Sequence, residues 1–217
     1  MFFLFLGGDF VDKKQERRAF QMNLEVRSDG DKPPKIVGYA AVFNSLSENL
    51  GGFREIIKPG AFKNAILKDD IRALWNHDPN YVLGRNKSGT LKLEEDDKGL
   101  RIEIEPPDTT FAKDLMESMR RGDVDQMSFG FVTKSDRWGM ENGETIRELH
   151  EVDLFDVSIV TYPAYTATSA NVRSVQEVFD EYAKSIQASG LANEEEKRKQ
   201  EQVSILRKKL ELKSKEI

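Results

Sequence analysis

Between Met22 and Thr161 the chain is a succession of short runs in which apolar and polar residues alternate, and this pattern leaves few folds open. A period of two puts one face of an extended strand against a core and the other toward water. Such strands are not stable singly, so they must pair into sheets. The runs fall at 22–27, 35–43, 53–57, 71–77, 90–94 and 100–105, with longer extended stretches at 124–135 and 144–161. Residues 28–34 form a turn, and Asp96-Asp97-Lys98-Gly99 joins two strictly alternating runs as a hairpin. Asp78-Pro79-Asn80 reads as the turn after 71–77, and the segment around 138–143 as the loop between the two long stretches. Proline in Tyr162-Pro163 ends the body, because it cannot continue a central ladder.

Helical signals are few. Residues 61–68 place Phe62, Ala65 and Ile66 on one face. Residues 108–121 carry the stripe Phe111, Ala112, Leu115, Met116 and Met119, with Asp108 or Thr109 as N-cap and Gly122 after the end. Residues 174–187 form one more helix, and a highly charged segment at 194–217 has heptad-like apolar spacing. The expected fold is mainly β, an antiparallel barrel or sandwich with peripheral helices. The expected organisation is an N-terminal arm at 1–21, a domain at 22–173 and a helical, charged C-terminal tail at 174–217.

Composition narrows the chemistry. The 217 residues carry a net charge of −5, against a general nucleic-acid binder, which needs clustered positive charge. There is no cysteine, so disulfides, thiolate nucleophiles and Cys-based zinc sites are excluded. Two histidines, His77 and His150, form no HExxH helix, and no metal or cofactor is expected. The apolar run at 1–6 is too short for a signal peptide or a membrane span. It reads as an arm.

His77, Ser128 and Asp156 could supply a general base, a nucleophile and an orienting acid. Each also has an ordinary reading. His77 at a strand end could serve packing, and Ser128 could be a plain strand serine without the G-x-S-x-G elbow. Strict alternation puts Asp156 on the face of Val152 and Leu154, where a carboxylate needs an arginine, backbone amides or an imidazole as partner.

Several pieces, in order, resemble the prohead (capsid maturation) serine proteases of tailed phages. They are Gly38-Tyr39-Ala40-Ala41-Val42-Phe43, Glu55-Ile56-Ile57-Lys58-Pro59-Gly60-Ala61-Phe62, Asn76-His77, Leu83-Gly84-Arg85 and Gly99-Leu100. They continue through Met127-Ser128-Phe129-Gly130-Phe131 and the stretch from Phe155-Asp156-Val157-Ser158 to Pro163-Ala164-Tyr165. The resemblance covers roughly 23–173.

It implies an assemblin-like β-barrel, as in the herpesvirus relatives, with His77 as base and Ser128 as nucleophile. Phage enzymes are expected to place an acid where the herpesvirus relatives use a second histidine. Asp156-Val157-Ser158 resembles the stretch carrying that third member; Glu151 is the rival acid, and His150 fits the herpesvirus pattern. Arg85 could assist the oxyanion or form an ion pair. The resemblance further implies a serine endopeptidase acting inside the immature capsid in the host cytoplasm, with capsid and scaffold segments, and itself, as substrates. Self-association, self-cleavage between 164 and 192, and a scaffold-like role for the tail are expected, with no nucleic-acid or membrane partner. A non-catalytic assembly protein of the same fold is the alternative; a small-ester hydrolase or a metal hydrolase fits the residues less well.

Overall fold

The structure is a computed structural model that describes residues 15–21, 24–28, 30, 33–162 and 176–187. The strands, in chain order, are β1 (Glu16–Gln21), β2 (Glu25–Arg27), β3 (Lys35–Val42), β4 (Arg54–Ile57), β5 (Arg72–Trp75) and β6 (Asp78–Arg85), then β7 (Leu91–Glu95), β8 (Gly99–Ile104), β9 (Gln126–Glu141) and β10 (Glu144–Val160). Helix α1 (Lys63–Lys68) lies between β4 and β5, and α2 (Thr110–Arg120) between β8 and β9. The protein is therefore mainly β with few helices. The strands divide into a four-stranded sheet, β2-β3-β8-β7, and a six-stranded sheet, β1-β9-β10-β5-β6, with β4 also on β10. No closed barrel is found among the described residues.

β9 and β10 form the longest antiparallel ladder, from Glu141↔Glu144 to Gln126↔Val160. The expected loop at 138–143 shrinks to Asn142-Gly143, with φ of 51° and 82°. Positive φ at both central residues is what a two-residue type I′ turn demands, and Asn-Gly satisfies it at least cost. β4 and then β5 run parallel to β10, along Ile146–Leu149 and Asp156–Ile159.

One continuous core forms from Met127, Phe129 and Phe131 of β9 and Leu149, Val152, Leu154, Val157 and Ile159 of β10. Ile36, Leu100, Ile102 and Ile104 from the smaller sheet join them, with Phe62 and Ala65 on α1's side. Phe62 meets Phe129 edge-on at 5.3 Å. Each such fully buried side chain contributes about 1.5–3 kcal/mol. From α2 come Ala112, Leu115, Met116 and Met119, the expected stripe. Thr109 occupies its N-cap position without a side-chain capping bond.

The expected N-terminal arm at 1–21 contains a strand of the six-stranded sheet. This strand, β1, pairs with β9, and its Glu16 and Arg18 point to the core side, beside Phe131 and Phe129. Both are buried and joined to Glu55 and Arg147. Arg18 meets Glu16 at 2.6 Å and Glu55 at 2.8 Å, while Arg147 meets them at 2.7 and 3.1 Å. Two guanidiniums and two carboxylates balance, as buried charges must. Residues 176–187 form a helix belonging to a separate compact unit. The run at 1–6, the linker at 163–175 and the charged segment at 194–217 lie outside the described residues.

Candidate active site

His77 is presented by a tight turn. β5 ends at Trp75 and β6 starts at its ladder partner Asp78, leaving Asn76 and His77 as the two loop residues. Their φ angles are 54° and 57°. A left-handed conformation costs a non-glycine residue roughly 1–2 kcal/mol, less for Asn, and such strain persists only where neighbours enforce it. The neighbour here is the end of β10. Asn76 N–H donates to the Ile159 carbonyl at 2.8 Å, and the Thr161 N–H donates to Asn76 Oδ1 at 2.9 Å. The expected turn at 78–80 is thus displaced to 76–77. Pro79 is accommodated within β6 because that strand ends the path of its sheet.

Ser128 and Asp156 reach the same face through a β-bulge. Leu154 pairs with Phe131 but Asp156 pairs with Gly130, so Phe155 is an extra residue in β10. Directly opposed residues of an antiparallel pair point to one side, and the bulge breaks the alternation. Asp156 therefore does not share the face of Val152 and Leu154, as alternation predicts. It lies with Gly130, Ser128 and Ser158, away from the core cluster, while Phe155 is 45% exposed.

His77 bridges the other two. Its Nδ1 lies 2.6 Å from Asp156 Oδ1, and its Nε2 lies 2.7 Å from Ser128 Oγ. A carboxylate can only accept, so the network assigns the proton to Nδ1; Nε2 is then the acceptor and the Ser128 hydroxyl the donor. That is the arrangement in which a serine can be deprotonated by imidazole. Ser128 is 0% exposed and Asp156 6%.

Two further residues shape the carboxylate. The Ser158 hydroxyl donates to the same Oδ1 at 2.5 Å. Gly130 makes room for the other oxygen, because a Cβ there would lie 2.5 Å from Asp156 Oδ2. Neither role follows from the motif alone, though each had a signal. A glycine within a strand marks a close approach, and Ser158 is two residues from Asp156 on an unbulged stretch.

The other candidates are engaged elsewhere. Glu151 accepts from Asn64 Nδ2 at 2.9 Å, and His150 contacts Glu148 at 3.2 Å. Arg85 pairs with Asp70 through two contacts of 2.6 and 2.5 Å, which holds that carboxyl below its usual range.

On the opposite face of β9, electrostatics hold β1 in place. Burial alone would raise the Glu16 carboxyl. The charges of Arg18 and Arg147, with hydrogen bonds from Arg147 and Thr133, outweigh it and bring the value from 4.5 down to about 2. For Arg147 burial works in the lowering direction, and Glu55 and Glu16 overcome it, so its pKa is raised.

Comparison with known proteins finds relatives for this chain. A family model described as caudovirus prohead serine protease matches residues 22–184. The prohead protease of Enterobacteria phage HK97 is 34% identical over 145 residues, covering 64% of this chain and 60% of that protein. The chain thus spans about three-fifths of that relative's length. The solved structure of the bacteriophage T4 capsid assembly protease aligns over 68% of this chain and 96% of its own, at 12% identity and a TM-score of 0.46.

Proposed function

The chain belongs to the caudovirus prohead serine protease family, and from that premise we propose that it is a serine endopeptidase that cleaves capsid and scaffold precursors, and itself, during shell maturation. The observation that carries the reading is the His77 bridge, with one ring nitrogen on Ser128 and the other on Asp156.

In this reading Ser128 Oγ attacks the scissile carbonyl as its proton passes to His77 Nε2. Asp156 accepts the Nδ1–H bond throughout, keeps the ring in the required tautomer and stabilises the imidazolium. The tetrahedral adduct collapses when Nε2–H protonates the departing amine, leaving an acyl-enzyme on Ser128. Water, activated by the same nitrogen, attacks the acyl carbon, and Ser128 regains its proton. Ser128 has no exposed surface in this conformation, so a substrate carbonyl reaches it only after local opening. A nucleophile closed off in this way suits a protease that must stay silent until its substrates surround it. Removing scaffold contacts would then make maturation effectively one-way. The segments proposed to carry self-cleavage, between 164 and 192, and scaffold pairing, at 194–217, extend this reading to the rest of the chain.

The test is co-expression with the phage's capsid precursor, with products read by mass spectrometry. Wild type is expected to cleave; Ser128→Ala and His77→Ala are expected to be inactive. Asp156→Asn should fall by about 10³- to 10⁴-fold, by analogy with other serine triads, whereas Glu151→Gln should cleave normally. Normal processing by Ser128→Ala would overturn the assignment and favour an assembly protein without chemistry of its own.

A further inference from the structure

We propose that Ser158 is a positioning residue of the cleavage site, its hydroxyl holding the Asp156 carboxylate in the orientation that engages His77. The inference rests on the protease reading above and adds a fourth group to it.

Three observations carry it. Ser158 is 0% exposed, so its hydroxyl has no water to turn to, and it donates to Asp156 Oδ1 at 2.5 Å. His77 Nδ1 meets the same oxygen at 2.6 Å, so two donors occupy the two lone pairs of one atom. Ser158 is also the ladder partner of Ser128, with Asp156 opposite Gly130 one regular step away. The sheet that places the nucleophile therefore places this donor by the same register.

A lone Asp carboxylate turns easily about its last torsion, whose profile is broad and two-fold. With Ser158 and His77 on one oxygen and the other seated in the space that Gly130 leaves, the carboxylate cannot turn part-way without stretching those bonds. Ser158 itself touches neither substrate nor reacting atoms; it acts through Asp156.

The experiment uses the full chain and a fluorophosphonate probe. Ser128 Oγ forms a bond to phosphorus, fluoride leaves, and His77 takes the hydroxyl proton. Ser158→Ala should label about ten- to a hundredfold more slowly, the value of one hydrogen bond to a charged group. Its His77 Nδ1–H proton resonance should shift or broaden in the resting protein. Ser158→Thr and Ser158→Val have the same volume and differ in the hydroxyl, so Thr should label at least about tenfold faster than Val. Should Ser158→Ala fail to fold, the Thr and Val pair decides alone. A wild-type labelling rate with an unmoved resonance in Ser158→Ala, or equal rates for Thr and Val, would overturn the role of Ser158 and leave the protease reading standing. Cleavage of capsid precursor by Ser128→Ala would instead remove the protease reading, and this inference with it.

Discussion

Leu154 and Asp156 lie two positions apart on β10 yet face opposite sides of the sheet, because Phe155 between them has no partner on β9. One extra residue carries a carboxylate from the apolar core, where Leu154 is 1% exposed, to the face that holds Ser128.

Deleting Phe155 makes Leu154 and Asp156 consecutive on a regular ladder, where consecutive residues point to opposite faces, so each keeps its face. Capsid-precursor cleavage should therefore survive the deletion in the folded protein. Phe155→Ala keeps the residue count at a half-exposed position and should change stability by no more than about 1 kcal/mol. Loss of cleavage in a folded deletion variant would show that the bulge does more than set the face of Asp156.

Gly130→Ala should separate stability from activity. The added methyl would meet the free end of the Asp156 side chain at 2.5 Å rather than backbone, so the carboxylate can swing aside at modest cost to folding. Swinging aside lengthens the bond to His77. Cleavage is expected to fall by about a hundredfold or more, with a loss of stability of no more than about 3 kcal/mol, the value of a hydrogen bond to a charged group. Large destabilisation with retained cleavage of the folded fraction would be the contrary result.

Asn76 should matter more than its exposed position suggests. Asn76→Ala removes the acceptor for Thr161 N–H and places a less tolerant residue at φ 54°. Asn76→Gly removes the same acceptor but relieves the backbone. Cleavage should therefore rank wild type, then Gly, then Ala. An Ala variant equal to wild type would mean that the clamp does not aim His77.

Acid stability should report the buried ion cluster. Glu16 titrates at about 2 in the folded protein against 4.5 ordinarily, so the unfolded chain binds the proton more readily. Its contribution, about 3 kcal/mol at full strength, is complete above pH 4.5 and is lost as pH falls toward 2. Urea midpoints measured from pH 6 to 2.5 should fall across that window in wild type and less steeply in Glu16→Gln. Glu16→Gln should itself be less stable at pH 7, since it leaves Arg18 and Arg147 sharing one carboxylate fewer. Parallel pH profiles would exclude Glu16 as the linked group.

Much of this architecture is legible in the residue order, because period and punctuation are local. The runs at 35–43 and 53–57, the hairpin through Asp96 to Gly99 and the stripe on α2 follow from residues a few positions apart. The ordered motifs likewise single out His77, Ser128 and Asp156 as residue types suited to one chemistry. What local pattern does not contain is register. The bulge at Phe155, the turn at Asn76-His77 and the burial of Glu16 and Arg18 are set by which residue of β9, β10 or β4 stands opposite. Sequence by itself determined a mainly β protein holding an alcohol, an imidazole and a carboxylate. Only the tertiary structure decided that the three share one face, and that Ser158 and Gly130 fix the third, because pairing across strands sets where each side chain points.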